Sequence, residues 1–300
     1  MKLFILLFVA ITSSAFAQDY IKVLEEQMDR LQDIEAPTAL DTESSLCTKR
    51  YDHLLKDGVL NILVGFGYID TVPNDTVHDW FMFNGLRRTI LGPCRQGISA
   101  CEFTQSRTEA GKYFKTIRDR NGKNIRVEIT MVRGSLSGSH AKNLGNLPAQ
   151  KDLCGRATDY FFNEMMKGPE IVYYSGHSRD GGGPDFCPPT VTKANHVNYN
   201  WYQHEHPGFT RLLDALARAQ KDPQVLVMHS CMSISHFYKK VHAIKPNMAF
   251  MGSHQLLGMV PDYQNQYGGM DSFIGQRCEK GMKAAMSQGV GFEMVNLFTK

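Results

Sequence analysis

Two stretches decide the fold: EIVYYS at 170–175, which runs into Gly176-His177-Ser178, and QVLVMHS at 224–230, which runs into Cys231. Each is a short, continuous apolar run, the signature of a strand buried on both faces. Each ends in a reactive side chain. Outward from them, IRVEITMV (125–132) alternates as a strand, NMAFMGS (247–253) is another apolar strand, and Val59 to Ile69 reads as a strand broken by two glycines. Helical spacing is predicted over 153–166 (LCGRATDYFFNEMM), 208–220 (GFTRLLDALARAQ) and 20–34, the last stopped by Pro37 and followed by a polar linker at 36–45. CEFTQS (101–106) reads as a strand and EAGKYFKTIRDR (109–120) as a helix, closed by the turn pair Asn121-Gly122. Residues 70–100 show turn formers and no sustained period, and a Gly/Ser/Asn-rich loop covers 134–150. Strands alternating with helices predict an α/β domain with a mostly parallel central sheet covered on both faces. In such sheets chemistry gathers at the carboxyl ends of the strands.

Composition narrows the classes. The chain has 300 residues, 42% apolar and 21% charged, and its 33 basic and 30 acidic residues give a net charge of +3. These values exclude wholesale disorder and fibrous structure, and they lack the basic bias of a nucleic-acid binder. Lys2, the apolar run Leu3 to Ile11 and Ala15-Phe16-Ala17 follow the order of a secretory signal peptide, residues 1–17, cut before Gln18. That run is too short to span a bilayer, and no later stretch does so without charge, so no membrane insertion is expected after its removal. The expected division is therefore signal peptide 1–17, N-terminal helix and linker 18–55, and an α/β domain over 56–300. Export, to a periplasm or outside the cell, puts the seven cysteines in an oxidising compartment where they pair.

Near neutral pH a thiol becomes a useful nucleophile when a base or a positive group stands beside it. Cys231 and His177, each at the end of an apolar strand, supply that combination at one sheet edge. Gly176 and Gly181-Gly182-Gly183 let backbone approach a substrate closely. The backbone N–H groups at Ser178 and Cys231 are candidate oxyanion donors.

Tyr174-Ser175-Gly176-His177 after an apolar strand resembles the Y-S-G-H-G of metacaspases, and Ser230-Cys231 after VLVM resembles their D-S-C-H-S-G. The interval of 54 residues (231 − 177) is close to that of caspases, whose histidine lies about 50 residues upstream of the cysteine. The resemblance covers roughly residues 100–260. It implies a caspase-like three-layer sandwich and a cysteine endopeptidase without cofactor, with His177 as general base, Cys231 as nucleophile and a peptide or protein as substrate. Two positions differ. Ser178 stands where the family has glycine after the histidine, and His229 stands where metacaspases carry an aspartate that helps bind a basic side chain. Asp180 and Asp185 are then the remaining acidic candidates, with His229, for the substrate pocket.

Other readings compete. Cys231 alone also fits a buried structural cysteine. Gly176-His177-Ser178-Arg179-Asp180 fails the G-x-S-x-G elbow at its fifth position, and the glycines that follow break the helix an elbow needs. Eight of the eleven histidines fall between 177 and 254, and His204-Glu205-His206 would set two imidazoles on one face of a strand, a zinc pair for a zinc-dependent hydrolase, although the spacing is not H-E-x-x-H and Pro207 stops any helix there. Asn198-Tyr199-Asn200-Trp201-Tyr202 reads as an aromatic loop, suited equally to a substrate cleft or to a non-catalytic peptide- or sugar-binding module. The cysteine count sharpens the peptidase reading. Cys231 is expected free, leaving Cys47, Cys94, Cys101, Cys154, Cys187 and Cys278 for three bridges in any of fifteen connectivities. Oligomeric state is not written in the sequence.

Overall fold

The computed structural model describes residues 19–34, 45–71, 76–286 and 291–298. The expected signal peptide, 1–17, and most of the 36–45 linker lie outside them.

The strands are β1 (Val59–Phe66), β2 (Asp70–Thr71), β3 (Thr76–Val77), β4 (Thr104–Gln105), β5 (Lys112–Arg118), β6 (Asn124–Arg133), β7 (Ile171–Ser175), β8 (Val225–His229), β9 (Ala249–Ser253) and β10 (Phe292–Val295). The helices are α1 (19–33), α2 (Ser45–Leu54), α3 (His78–Leu91), α4 (Pro148–Met166), α5 (Tyr199–Glu205), α6 (Pro207–Ala217), α7 (Lys239–Ile244), α8 (Met259–Ile274) and α9 (Glu279–Ala285). Eight strands form one sheet in the order β10-β9-β8-β7-β1-β6-β5-β4. β9, β8, β7, β1 and β6 are mutually parallel, β10 pairs antiparallel with β9 at one edge, and β5 pairs antiparallel with both β6 and the edge strand β4 at the other. The expected α/β class and mostly parallel sheet are therefore present, in a mixed sheet.

Strand periodicity sorts the core into two halves. Along β7 and β8, Ile171, Tyr173, Val225 and Val227 belong to one buried cluster, while Val172, Tyr174, Leu226 and Met228 belong to the other. The first cluster packs residues of α1, α2, α3, α8 and α9 against the sheet, and the second those of α4 and α6. Every side chain of β7 and β8 is buried, which explains why both read as unbroken apolar runs. Each such Val, Leu or Ile contributes about 1.5–3 kcal/mol of transfer free energy. Helices α4 and α6 begin with Pro148 and Pro207, where the missing N–H costs nothing. In α6, Phe209, Leu212, Ala215 and Leu216 face the sheet while Arg211 and Arg218 stay outside.

Four sequence readings need correction. Residues 109–120 are not a helix; they carry β5, paired antiparallel with β6 from Lys112↔Thr130 to Arg118↔Asn124. Tyr113 and Ile117, four apart, suit either period, but β6 offers a strongly alternating edge, and Asn121-Gly122 closes a hairpin with Gly122 at φ 80°. Residues 78–91, without visible period, form α3. Asp79, Phe81, Met82, Phe83, Gly85, Leu86, Thr89 and Ile90 are buried, polar Asp79 and Thr89 among them, while Trp80 and Leu91 lie on the less buried side with Asn84, Arg87 and Arg88, so polarity does not track burial along this helix. The aromatic segment at 198–202 is not a loop but the start of α5, with Asn198 Oδ1 accepting from Trp201 N at 3.1 Å. Finally, His204 and His206 are not on a strand. His204 ends α5, and His206 follows it as a left-handed cap at φ 45°.

Candidate functional site

Counted in chain order, the five parallel strands lie 2-1-3-4-5, and their order reverses between β1 and β7. Ligands of open α/β sheets bind outside the carboxyl ends at such a reversal. His177 leaves the sheet there.

Register fixes where Cys231 stands relative to it. β7 and β8 pair from Ile171↔Val225 to Ser175↔His229, a constant offset of 54 residues. Gly176 N then donates to His229 O at 3.0 Å, extending the ladder past the strand end. His177 and Cys231 are 54 apart too, so they occupy equivalent positions two residues beyond adjacent strands. Both side chains are half-buried.

The backbone around them is tight. A Cβ on Gly176 would stand 2.5 Å from the Tyr174 hydroxyl, so only glycine fits. That hydroxyl accepts from Asp185 N at 2.8 Å and lies 3.2 Å from the carbonyls of His177 and Asp185, tying both ends of the loop after β7 to its base. Burial pushes the Tyr174 phenol far above its ordinary range, so it stays protonated as a donor. Arg179 (φ 47°) and Asp180 (φ 52°) are both left-handed, as is Met232 (φ 51°) directly after Cys231. Non-glycine residues in this region are strained, and such strain concentrates at functional sites. Cys231 precedes a helical stretch over 233–244 that includes a π-turn at Ile234–Tyr238. Its Sγ accepts from Leu257 N at 3.4 Å, a donor on the loop after β9.

The expected pocket residues divide. Ser178 is buried, and its carbonyl accepts from Gly181 N at 3.0 Å and Gly183 N at 2.9 Å. Asp180 reaches the surface, bonded by Gln203 and 3.7 Å from His236 Nε2 on the π-turn. It links the loop after His177 to the helix after Cys231. Burial draws the His236 imidazole below its ordinary range, and Asp180 opposes this.

Asp185 is not a free pocket carboxylate. Oδ2 accepts from Arg179 Nε at 3.3 Å and Tyr202 hydroxyl at 2.8 Å, and Oδ1 from Cys187 N at 3.1 Å. Burial raises its carboxyl above the usual range, with Arg179 the main opposing influence. This carboxylate is used up inside the protein.

His229 is likewise closed to solvent rather than lining an open pocket. Its Nδ1 is 2.7 Å from Asp262 Oδ1 on α8, and its ring stacks on Tyr173 (5.9 Å between centroids) and meets Phe292 at a tilt (4.5 Å). Asp262 carried no sequence signal, because α8 is buried nearly all round and interrupted by Gly268-Gly269.

Six cysteines stand in disulfide pairs, Cys47–Cys278, Cys94–Cys101 and Cys154–Cys187, and Cys231 is the free thiol. Cys154–Cys187 ties α4 to the loop that follows His177. Among the described residues no cluster of three or more His, Cys, Asp or Glu is arranged to hold a metal, and no helix is long and apolar enough to cross a membrane. Of the eight exposed large apolar residues among the described residues, seven lie in segments leaving the carboxyl ends of parallel strands: Leu136, Leu144, Val191, Tyr199, Met232, Leu256 and Val260. Leu256 is 76% exposed, next to the Leu257 amide that touches Cys231. Compared with known proteins, the chain matches no family model, no curated protein and no solved structure.

Proposed function

We propose that the protein is an exported cysteine peptidase of caspase-like fold, with Cys231 as nucleophile and His177 as general base. The observation that carries this reading is the shared 54-residue offset. It sets the one unpaired thiol and a histidine at equivalent positions beyond neighbouring strands. The reversal of strand order beside His177, the strained residues after both groups and the apolar side chains on the surrounding loops add support. Three disulfide pairs suit an oxidising compartment.

In this mechanism His177 takes the Cys231 proton. The thiolate adds to the scissile carbonyl, forming a C–S bond. Collapse of the tetrahedral adduct breaks the C–N bond, and the amine leaves with the proton held by His177. Water, deprotonated by His177, then attacks the thioester and returns the thiol. The helical stretch starting at 233 favours negative charge on the sulfur just before it.

Fluorogenic peptide cleavage tests the assignment. Cys231→Ala and His177→Ala are each expected to lower kcat on the order of 10³-fold or more, with unchanged thermal unfolding. Iodoacetamide is expected to alkylate native wild-type protein at Cys231 alone. Full activity in Cys231→Ala would sink the proposal.

A further inference from the structure

Strand β5 turns a lysine toward the core. Tyr113, Lys115 and Ile117 share one face by strand parity; Tyr113 belongs to the main apolar cluster and Ile117 packs against it. Lys115, half-buried between them, donates from Nζ to Ser99 O at 3.1 Å and to Cys101 O at 2.9 Å. An ammonium has three donors, so one remains. It is left for the Cys94–Cys101 disulfide, whose sulfurs lie 3.5 and 3.9 Å from Nζ. No carboxylate touches Lys115 among the described residues. Burial draws its ammonium below the ordinary range, opposed by Glu102 and Asp271. A disulfide sulfur is a weak acceptor, whereas a thiolate in the same place takes a charge-assisted bond. This cation suits the reduced sulfur better than the oxidised one.

The two cysteines differ in access. Cys94 is half-buried and sits between exposed Pro93 and Gln96, whereas Cys101 is fully buried. The backbone they close is also held by other bonds. Asp271 Oδ1 accepts from Ser99 N at 2.6 Å and Ala100 N at 2.8 Å. The Tyr267 hydroxyl donates to Ala100 O at 3.1 Å, and Arg277 Nη2 to Gly97 O at 2.8 Å. Residues 97–101 therefore keep these anchors when the S–S bond opens.

The other two bridges lack this combination. Arg120 Nη2 lies 3.4 Å from Cys47 Sγ and 3.1 Å from Cys278 Sγ, but both cysteines are buried. Cys187 is half-buried, but its partner Cys154 Sγ meets the Lys151 carbonyl, at 3.5 Å, in place of a cation.

We infer that Cys94–Cys101 is a thiol–disulfide exchange site whose co-substrate is a low-molecular-weight thiol. The inference does not depend on the peptidase reading. The incoming thiolate attacks Cys94 Sγ and forms a new S–S bond. The Cys94–Cys101 bond breaks, and its electron pair leaves on Cys101 Sγ, which Lys115 holds as a thiolate. A cation beside the leaving thiol lowers its pKa and speeds its departure. A second thiol then attacks the external sulfur of the mixed disulfide and releases Cys94. Two external thiols are oxidised to their disulfide, the bridge is reduced by two electrons, and the two protons end on Cys94 and Cys101. Half-burial of Cys94 admits a small thiol at its sulfur.

The test uses the mature protein carrying Cys231→Ala, so that every thiol that appears comes from a bridge. It is incubated with reduced glutathione and quenched with N-ethylmaleimide, and each cysteine is mapped by mass spectrometry. Cys94–Cys101 is expected to open at least about tenfold faster than either other bridge, with the glutathione adduct on Cys94. Lys115→Met is expected to slow that opening by about tenfold or more, and Lys115→Arg to preserve it, with Cys154–Cys187 unchanged in both. Opening of all three bridges together, or of Cys154–Cys187 first, overturns the inference. So does an adduct on Cys101, or a rate that Lys115→Met leaves unaltered. If Lys115→Met loosens the fold, its three bridges open in step, and the order in the protein that retains Lys115 decides.

Discussion

At the scale of single residues, the loop carrying His177 depends on one buried pair. Arg179 and Asp185 lie 3.3 Å apart, and the guanidinium packs over the Tyr202 ring. Removing one partner of a buried pair strands the other charge. Arg179→Met is therefore expected to cost about 3–5 kcal/mol at pH 8 by urea unfolding. Asp185 already titrates above the usual carboxylate range, and losing Arg179 raises it further. A raised carboxyl is penalised when ionised and relieved when protonated, so the cost should shrink as pH falls toward 5. A pH-independent cost would mean that packing, not charge, sets it. Sequence pointed to Asp185 by its nearness to His177, but no pattern in a single chain announces that Arg179 neutralises it.

At the scale of elements, Asp79 joins α3 to the exits of β1 and β6. Its carboxylate accepts from Ile69 N at 3.2 Å, Ser135 N at 2.8 Å and Ser135 hydroxyl at 2.8 Å. Burial pushes its carboxyl up to about 7, against those donors. The unfolded chain titrates this group near 3.8, so between about pH 4 and 7 the folded protein holds the extra proton. Stability contributed by that proton should decline as pH rises through this window. Urea midpoints at pH 5, 6, 7 and 8 should show the decline. Asp79→Asn should flatten it while costing about 1–3 kcal/mol at pH 5, because the amide NH₂ would face a backbone donor. Elements with one exposed face, such as α6, were legible in the sequence. α8 was not, because it is buried nearly all round, and α3 was not, because polar Asp79 and Thr89 are buried while Trp80 and Leu91 are partly exposed, so neither imposes a clean period.

At the scale of the whole molecule, the three disulfides close loops of very different length. Cys47–Cys278 spans 231 residues and fastens α2 to the start of α9, whereas Cys94–Cys101 spans 7. Loop-closure entropy gives about 5 kcal/mol for the first and about 2.5 for the second. Replacing both cysteines of each pair by alanine should reproduce that order in calorimetry; equal losses would show that local packing governs instead. α1 and α2 bury Leu24, Met28, Leu31, Tyr51 and Leu54 in the same core as the sheet, so the N-terminal segment helps build the core. The sequence by itself determined the two buried strands, the reactive residue at the end of each and the odd cysteine count. Those features are local, carried by continuous apolar runs and by residue chemistry. Tertiary structure alone decided which strands pair and in what register, which cysteines bond, and that Asp262 of α8 meets His229. These are encounters between residues far apart in the chain, settled by how two layers of helices cover one sheet.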